Sequence, residues 1–406
     1  MMVRQAHHKT KIAIFHSGFI YSGGGERIVL EEAKGLKRLG YEVEVYAPTY
    51  DAKKCYPELT KEIGVKMFLP SFIEKLPGRF AIRMVATSFL APFLAFNFRD
   101  VDIFVGANQP GAWLAFCVAK VLKKPYIVYL NQPNRLLYPR PIDREYGWTT
   151  TVKDYHLLYR LIRLVKPIIS ILDKISITST NALLANGAYI GGVIENVYGR
   201  QTVDAPAGSY HQPTDKLRFN PGKIIKKPYL LITNRHDPQK RFDYVIRAFA
   251  QVVKEYPNVS LAIPGPSTDH TKELIKFSKK LKVSDKVLLL GQVSEADLQK
   301  LYKNATVYCY PSPEEDFGLG PLEAGGWGVP TVAWAHAGPT VTVEDGVTGF
   351  LAKPYDVKDY AHKILTLLKN PRLRTKMGKA AWKRTKEKFS WDKHIDILEK
   401  SILDNM

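Results

Sequence analysis

Short apolar runs alternate with amphipathic stretches of helical length along this chain, and the alternation occurs twice. The first series contains the strand-like runs Lys11–His16 and Glu42–Ala47, with a helical stretch near 26–39 between them. The second begins with the run 229–233 and a helical stretch near 242–256. Such alternation is typical of parallel sheets covered by helices. We therefore predict an α/β protein built from two Rossmann-like, doubly wound domains.

Length and charge narrow the functional class. A chain of 406 residues exceeds what one ordinary core supports, which agrees with two domains. Lys and Arg number 59 against 39 acidic residues, a net charge of +20, and this favours phosphate-bearing ligands, an anionic membrane surface or nucleic acid as partners. We predict no nucleic-acid role, because no RRM, KH, helix-turn-helix or zinc-finger pattern is evident.

The compartment is predicted from cysteines and apolar segments. Cys55, Cys117 and Cys309 show no CxxC spacing, which is typical of reduced, buried thiols. Residues 1–10 lack the apolar core of a signal peptide, and no run reaches the roughly 18 uninterrupted apolar residues of a spanning helix. We expect a cytoplasmic protein that is soluble or peripheral on the cytoplasmic face of the membrane.

Two apolar stretches with basic residues, 80–98 and 155–171, do not belong to an ordinary Rossmann pattern. The second places Arg160, Arg163 and Lys166 three residues apart on one predicted helical face. Such segments suit the interface of an anionic membrane. They equally suit packing on the sheet or the lining of an acceptor groove, and the sequence leaves these alternatives open.

The stretch 311–330 sets two carboxylates, Glu315 and Glu323, on either side of a glycine-rich turn. A strand-like run at 305–310 precedes it. We predict that Pro321 opens a helix, with Gly320 as its N-cap and Glu323 at the third helical position. Amides at such a helix start attract anions, phosphate included. Glu323 could instead serve only to cap the helix.

Two further loops follow predicted strands. Arg235 and Lys240 lie in the loop after the run 229–233, and at the carboxyl end of a parallel strand they could clamp a diphosphate. Three consecutive glycines, 23–25, lie where the first strand meets its helix, which lets backbone approach a phosphate or sugar and also fits a plain tight turn. The Asp-Val-Asp at 100–102 has metal-motif spacing but leads directly into an apolar strand, so no metal site is predicted.

Five motifs in this order resemble those of the retaining glycosyltransferases of the two-lobed GT-B type, family 4. They are the paired glutamates Glu315 and Glu323 around Phe-Gly-Leu, the basic loop 234–241, the glycine loop 23–27, the Ala-Asn of 185–186, and the Asp-Gly-Val-Thr-Gly-Phe of 345–350. The resemblance covers nearly the whole chain and is strongest over 229–354.

The resemblance implies a GT-B fold whose two domains face across a cleft. Residues 1–205 would form an acceptor domain, 206–225 a linker and 226–385 a nucleotide-sugar donor domain, with 386–406 a helix packing back on the N-terminal domain. The implied activity moves a hexose, mannose as the first expectation, from GDP-mannose or a UDP-hexose to a lipid-linked or glycan acceptor. It would proceed with retention by front-face substitution and without a metal or other cofactor.

The same resemblance assigns roles to individual residues. Glu315 would contact the transferred sugar, Glu323 the ribose, and Arg235 with Lys240 the diphosphate. The catalytic set is Glu315, Arg235 and Lys240; the donor-binding set is Glu323, Gly318, Leu319, Gly320, Gly265, Gly24 and Gly25; the acceptor-binding set is Asn131, Gln132 and Arg135. Asn131 stands where relatives often have a histidine, and an amide positions a hydroxyl but is no base. The alternative is therefore a relative that binds a nucleotide sugar without transferring it.

Overall fold

The computed structural model describes residues 10–69, 79–146, 156–210 and 228–406, without the side chains of 79–82, 84, 85 and 156–165. Their contacts divide the chain into two compact units. The first contains the described residues of Met1–Tyr138, Leu157–Ala207 and Trp391–Met406, and the second those of Pro139–His156 and Gly208–Ser390.

Strands and helices alternate through both units. In chain order they are β1 Lys11–His16, α1 Gly24–Arg38, β2 Glu42–Ala47, α2 Pro57–Ile63, β3 Lys66–Met67, α3 Arg79–Leu94, β4 Ile103–Ala107, α4 Asn108–Leu122, β5 Tyr126–Leu130, α5 Pro141–Tyr146, α6 His156–Thr178, β6 Ala182–Ala185, α7 Ala188–Tyr198, β7 Val203–Asp204, β8 Tyr229–Leu231, α8 Phe242–Glu255, β9 Ser260–Pro264, α9 Asp269–Lys280, β10 Val287–Gly291, α10 Glu295–Asn304, β11 Val307–Tyr310, α11 Leu319–Gly326, β12 Thr331–Trp334, α12 Pro339–Thr342, β13 Gly349–Ala352, α13 Val357–Lys369, α14 Pro371–Lys388 and α15 Trp391–Leu403.

The sheet of the first unit has, among described residues, the strand order β3-β2-β1-β4-β5-β6-β7 with every pair parallel. The interior strand β1 is paired on both sides, with Ile12 opposite Val43 on β2 and Ile103 on β4. These side chains are buried because both faces of a parallel sheet are covered. The order is that of a Rossmann sheet, as predicted.

The second unit repeats this order as β10-β9-β8-β11-β12-β13, again fully parallel. The strand order reverses between β8 and β11, where Leu230 lies opposite Val307. Ligands of open parallel sheets bind outside the carboxyl ends of the strands at such a reversal. The loops that follow β8 and β11 are therefore the place to look for a site. The prediction of two Rossmann-like domains is confirmed.

The boundaries of the two units differ from the predicted domains at residues 139–146 and at residues 386–390, all of which belong to the second unit where described. Residues 139–146 were assigned to the N-terminal domain, but they belong to the second unit, because Arg140 and Ile142 hydrogen-bond to Glu314 there. At the other end, α15 packs in the first unit, where His394 Nε2 lies 3.0 Å from Glu32 Oε1 on α1. The predicted linker 206–225 lies outside the described residues from 211 onward.

Two motifs considered in the sequence have structural explanations. Asp102 accepts a hydrogen bond from the Lys11 backbone N–H at 2.7 Å, and Asp100 pairs with the Lys11 ammonium group at 2.5 Å, so both carboxylates fasten the start of β1. The three cysteines are buried free thiols. Burial raises the pKa of the Cys117 thiol to about 12. No helix in the described part of the chain is long and apolar enough to cross a membrane.

Candidate active site

The loops after β8 and β11 bring a lysine and a glutamate into contact. Lys240 Nζ lies 2.7 Å from Glu315 Oε2, and each side chain is about one-fifth exposed, at 21% and 20%. Lys240 ends a short 3-10 turn, Pro238–Lys240, in the loop after β8. Glu315 follows β11, the strand hydrogen-bonded to β8. The reversal of strand order therefore places an ion pair where a phosphate-bearing ligand of this fold would bind.

Glu315 is held in its charged form. Burial by itself would raise the pKa of this carboxyl, but the positive charges of Lys240 and Arg140 outweigh burial, and the pKa lies below its ordinary value. Glu315 is consequently a carboxylate at neutral pH, able only to accept hydrogen bonds. Such a group suits the hydroxyl groups of a sugar.

The loop that carries Glu315 is fixed by a segment distant in sequence. Arg140 donates to the Glu314 carbonyl oxygen at 2.8 Å and to the Asp143 carboxylate at 2.9 Å. The backbone N–H of Ile142 donates to the Glu314 carboxylate at 3.0 Å. Glu314 adopts a left-handed backbone conformation, with φ +53°, which is uncommon for a residue with a side chain. These contacts stabilise the backbone conformation of Glu314 and thereby orient the side chain of the next residue, Glu315.

Arg140 was not among the sequence-predicted site residues. Its one local signal is Asp143 three residues later, a spacing that forms a salt bridge at 2.9 Å. That spacing does not reveal its contact with Glu314, because 174 residues separate the two. Arg140 is thus a residue of the site that sequence patterns alone miss.

Helix α11 begins earlier than predicted. Its N-cap is Gly318, whose φ of +94° lies in the left-handed region that glycine adopts without steric cost. Gly320 is therefore the second helical residue, not the N-cap, and Glu323 is the fifth residue, not the third. Pro321 at the third position loses no helical hydrogen bond, since first-turn N–H groups have no intrahelical partner.

The corrected start leaves the predicted phosphate amides in place. Leu319 and Gly320 occupy the first two helical positions, where N–H groups point out of the helix toward an anion. Gly320 has no room for a side chain, because a Cβ there would lie 2.2 Å from the hydroxyl of buried Tyr308. Behind this turn, Glu323 accepts a hydrogen bond of 2.6 Å from Tyr302.

The predicted catalytic residue Arg235 and the predicted donor-binding residue Gly265 lie at the same edge of the sheet. An Arg235 guanidinium nitrogen lies 2.9 Å from Asp237 Oδ2, with its side chain 41% exposed. Gly265 follows β9 with φ +144°, and a Cβ on it would lie 1.8 Å from the Asn234 carbonyl oxygen. Gly265 therefore permits the loops after β8 and β9 to approach closely, which shapes the edge that Arg235 borders.

In the first unit, the glycine loop meets a chain of asparagine amides. The Ala207 backbone N–H donates to Asn186 Oδ1 at 2.8 Å, which turns Asn186 Nδ2 toward Asn131 Oδ1 at 2.9 Å. The Asn131 Nδ2 group is thereby directed toward Gly25, where a Cβ would lie 3.5 Å away. This buried amide nitrogen has no hydrogen-bond partner among the described residues. It is positioned to donate to a ligand.

The other predicted acceptor residues and Gly24 have different surroundings. Arg135 is buried, and its Nε lies 3.5 Å from Gln132 Oε1, while Nη1 lies 3.4 Å from the Tyr138 carbonyl oxygen. Arg135 and Gln132 thus stabilise the loop after β5 that carries Asn131. Gly24 is the first residue of α1, with Gly23 as the N-cap in extended conformation.

The described residues were also compared with the ligand sets of metal sites. Among them, no cluster of three or more His, Cys, Asp or Glu side chains could hold a metal ion.

The fold is that of the GT-B glycosyltransferases, as a crystal structure of Anabaena HepE in complex with UDP and glucose illustrates. It superposes with a TM-score of 0.73 over 97% of this chain and 100% of that chain, at 18% sequence identity. The family model for "Glycosyltransferase Family 4" matches residues 22–203, and that for "Glycosyl transferases group 1" matches residues 213–384.

The chain belongs to the group 1, family 4 glycosyltransferases. One relative is the α-1,3/1,6-mannosyltransferase ALG2 of Dictyostelium discoideum, which is 25% identical to this chain. The alignment covers 94% of this chain and 94% of the relative's sequence. The ALG2 of Homo sapiens is 26% identical, and its alignment covers 94% of this chain and 92% of the human sequence. The protein is therefore an enzyme that transfers glycosyl groups.

Proposed function

We propose that this enzyme is a retaining mannosyltransferase that moves mannose from GDP-mannose to a lipid-linked or glycan acceptor. The observation that carries the proposal is the Lys240–Glu315 ion pair at the strand-order reversal of the second sheet. Mannose is favoured because the full-length relatives are α-1,3/1,6-mannosyltransferases. A UDP-hexose is the competing donor, since the structural neighbour HepE was crystallised with UDP and glucose.

The chemistry follows from the charges around this pair. In a front-face substitution the departing diphosphate oxygen takes the proton of the acceptor hydroxyl, so catalysis depends on stabilising leaving-group charge. Lys240 and Arg235 supply positive charge, and the first-turn amides of Leu319 and Gly320 supply hydrogen-bond donors. Electrostatic stabilisation by preorganised groups of this kind is usually the largest single contribution to catalysis. They make a metal unnecessary, and Glu315 then holds the sugar hydroxyls.

A membrane-side acceptor is supported by an apolar stripe on α3 and the turn after it. Phe89, Phe93 and Phe96 recur at intervals of four and three residues, which places them on one helical face. They are 75%, 75% and 56% exposed. Exposed aromatic residues in such a stripe are typical of an interaction surface.

A second stripe lies on α6, whose Ser176 hydroxyl accepts a hydrogen bond from Gln109 on α4 at 3.0 Å. Ile168 and Ile171 are 60% and 58% exposed, and Lys166 and Lys174 beside them are exposed as well. The combination fits an anionic lipid surface, because apolar side chains insert while lysines contact headgroups. Of the predicted membrane segment 155–171, Tyr155 and the side chains of Arg160 and Arg163 lie outside the described residues.

A donor panel tests the proposal. The purified enzyme is incubated with GDP-mannose, UDP-glucose, UDP-galactose and UDP-N-acetylglucosamine, with isolated membrane lipids as acceptor. We expect GDP-mannose to be bound and consumed, and Glu315→Ala and Arg235→Ala to abolish consumption. The control, Lys254→Met, changes an exposed cation on α8 away from the ion pair. Failure to bind or consume any donor, or unchanged turnover in both alanine variants, would overturn the proposal.

One observation favours a second reading, in which a nucleotide sugar is bound but not transferred. Asn131 presents an amide nitrogen toward Gly25, and an amide cannot accept a proton as a histidine can. The two readings differ in one result. Donor binding with no glycosyl transfer to any membrane lipid would favour the binding protein, whereas turnover with any acceptor removes it.

A further inference from the structure

Three hydroxyl groups form a hydrogen-bonded chain that ends on Glu323. Tyr302 Oη lies 2.6 Å from Glu323 Oε2 and 2.8 Å from Thr233 Oγ1. Thr233 Oγ1 lies in turn 2.7 Å from Tyr308 Oη. Both tyrosines are completely buried. The chain therefore connects α10, the loop after β8, and β11 to the carboxylate on α11.

The direction of the hydrogen bonds is set by the carboxylate. An ionised glutamate only accepts, so the single proton of Tyr302 is directed to Glu323. Tyr302 oxygen must then accept from Thr233, and Thr233 must accept from Tyr308. Hydrogen bonds aligned in one direction polarise one another, which strengthens the terminal bond. Burial, together with the negative charge of Glu323, raises the pKa of Tyr302 well above its ordinary value, so Tyr302 remains a donor at neutral pH.

The chain touches two further parts of the site. Tyr308 packs beneath the first turn of α11, since its hydroxyl lies where a side chain on Gly320 would be. Thr233 immediately precedes Asn234 and Arg235, the start of the loop that ends at Lys240. Removal of one hydroxyl group would thus change the positions of the helix start, the basic loop and the Glu323 carboxylate.

We propose that Tyr302 and Thr233 are positioning residues for the donor, which fix one oxygen of Glu323 so that the carboxylate is preset to receive a nucleoside ribose. The inference rests on the proposed function, because it needs Glu323 to contact that ribose. It assigns a share of nucleotide affinity to a buried side chain of α10 and a partly buried one in the loop after β8. Neither residue needs to touch the ligand.

The test compares two buried tyrosines by calorimetric titration with GDP and with 2′,3′-dideoxy-GDP. Tyr302→Phe removes the hydroxyl that reaches Glu323. Tyr229→Phe is the matched control, because Tyr229 is equally buried and its hydroxyl donates to the Leu301 carbonyl at 2.7 Å. We expect Tyr302→Phe to weaken GDP binding about tenfold, as loss of a hydrogen bond to a charged group does. Binding of the dideoxy analogue should change less than about twofold, because it has no ribose hydroxyls for Glu323 to hold.

The milder variant Thr233→Val interrupts the chain one step farther away and keeps the shape of the side chain. We expect it to weaken GDP binding about threefold with the same dependence on the ribose hydroxyls, and it tests the inference if Tyr302→Phe does not fold. GDP affinity unchanged in both variants, or GDP and dideoxy-GDP weakened equally, would overturn the inference alone. A wild-type enzyme that binds neither GDP nor UDP would overturn the proposed function and the inference together.

Discussion

Lys240 Nζ lies 2.7 Å from Glu315 Oε2, although 75 residues separate the two in sequence. The contact forms because β8 and β11 are neighbours in the second sheet, so the loops at their carboxyl ends meet. We propose that this lysine, which is paired with Glu315, contacts the diphosphate of a bound donor. The predictions below depend on that arrangement.

Replacing Lys240 with methionine keeps the length of the side chain and removes its charge. We expect kcat/KM for the donor to fall about 100- to 1,000-fold, the range seen when one preorganised charge-stabilising group is lost. Steady-state kinetics with GDP-mannose measures the effect. Lys254→Met, on the exposed face of α8, should keep wild-type kinetics. Equal kinetic losses in the two variants would argue that Lys240 acts only through general surface charge.

Acid should destabilise the fold partly through Glu315. Its pKa is lower in the folded enzyme than in the unfolded chain, so its stabilising contribution is present above the ordinary carboxyl pKa and is lost as the pH falls through the folded value. The window lies below about pH 4.5. Urea unfolding measured over this range should show a shallower pH dependence for Glu315→Gln than for wild type. Superimposable pH dependences would contradict the assigned shift.

Substitutions of two helical glycines should have opposite effects. Gly320→Ala forces a Cβ to within 2.2 Å of Tyr308 Oη, so we expect a loss of about 1–3 kcal/mol in the free energy of unfolding and weaker donor binding. Gly192→Ala on α7 meets no atom within 4 Å and should stabilise by about 0.5–1 kcal/mol. Chemical denaturation measures both. A neutral Gly320→Ala would mean that the α11 turn is less tightly packed than described.

The sequence predicted the positions of several strands accurately, but it did not predict the contacts between the residues of the site. The runs at 11–16 and 42–47 predicted β1 and β2 with their observed bounds, because β1 is buried beyond its first residue and β2 buries every second residue. The strands β3, β6, β7 and β13 have two to four residues and gave no comparable run.

The details of the site depend on contacts between distant segments. Pro321 suggested a helix start that the left-handed conformation of Gly318 places two residues earlier. Arg140 and Tyr302 escaped prediction because their partners, Glu314 and Glu323, lie 174 and 21 residues away along the chain. The family motifs supplied the residue types of the site, whereas the folded sheet supplies the hydrogen bonds that orient them.

Membrane binding should depend on the α3 stripe. Phe89→Ser combined with Phe93→Ser removes two rings that are each 75% exposed, and we expect binding to phosphatidylglycerol vesicles to weaken at least about tenfold. Vesicle flotation measures binding, and added salt should weaken it further by screening the lysines. Ile275→Ser, a change of an exposed apolar residue on α9, is the control. Unchanged flotation of the double variant would exclude this face as the contact.

The proposed function predicts turnover without a divalent metal, because it assigns to Arg235 and Lys240 the positive charge opposite the diphosphate. We expect equal rates of GDP-mannose consumption in EDTA and in added magnesium or manganese. Enzyme that is inactive in EDTA and recovers with a metal would contradict this prediction and would reassign the stabilisation of the leaving group.

The most direct test of the central claim is the stereochemistry of the product. The enzyme is incubated with GDP-mannose and a membrane lipid acceptor, and the anomeric configuration of the transferred sugar is read by proton NMR of the isolated product. We predict a mannosyl product with the α configuration of the donor. A β-linked product would contradict the account.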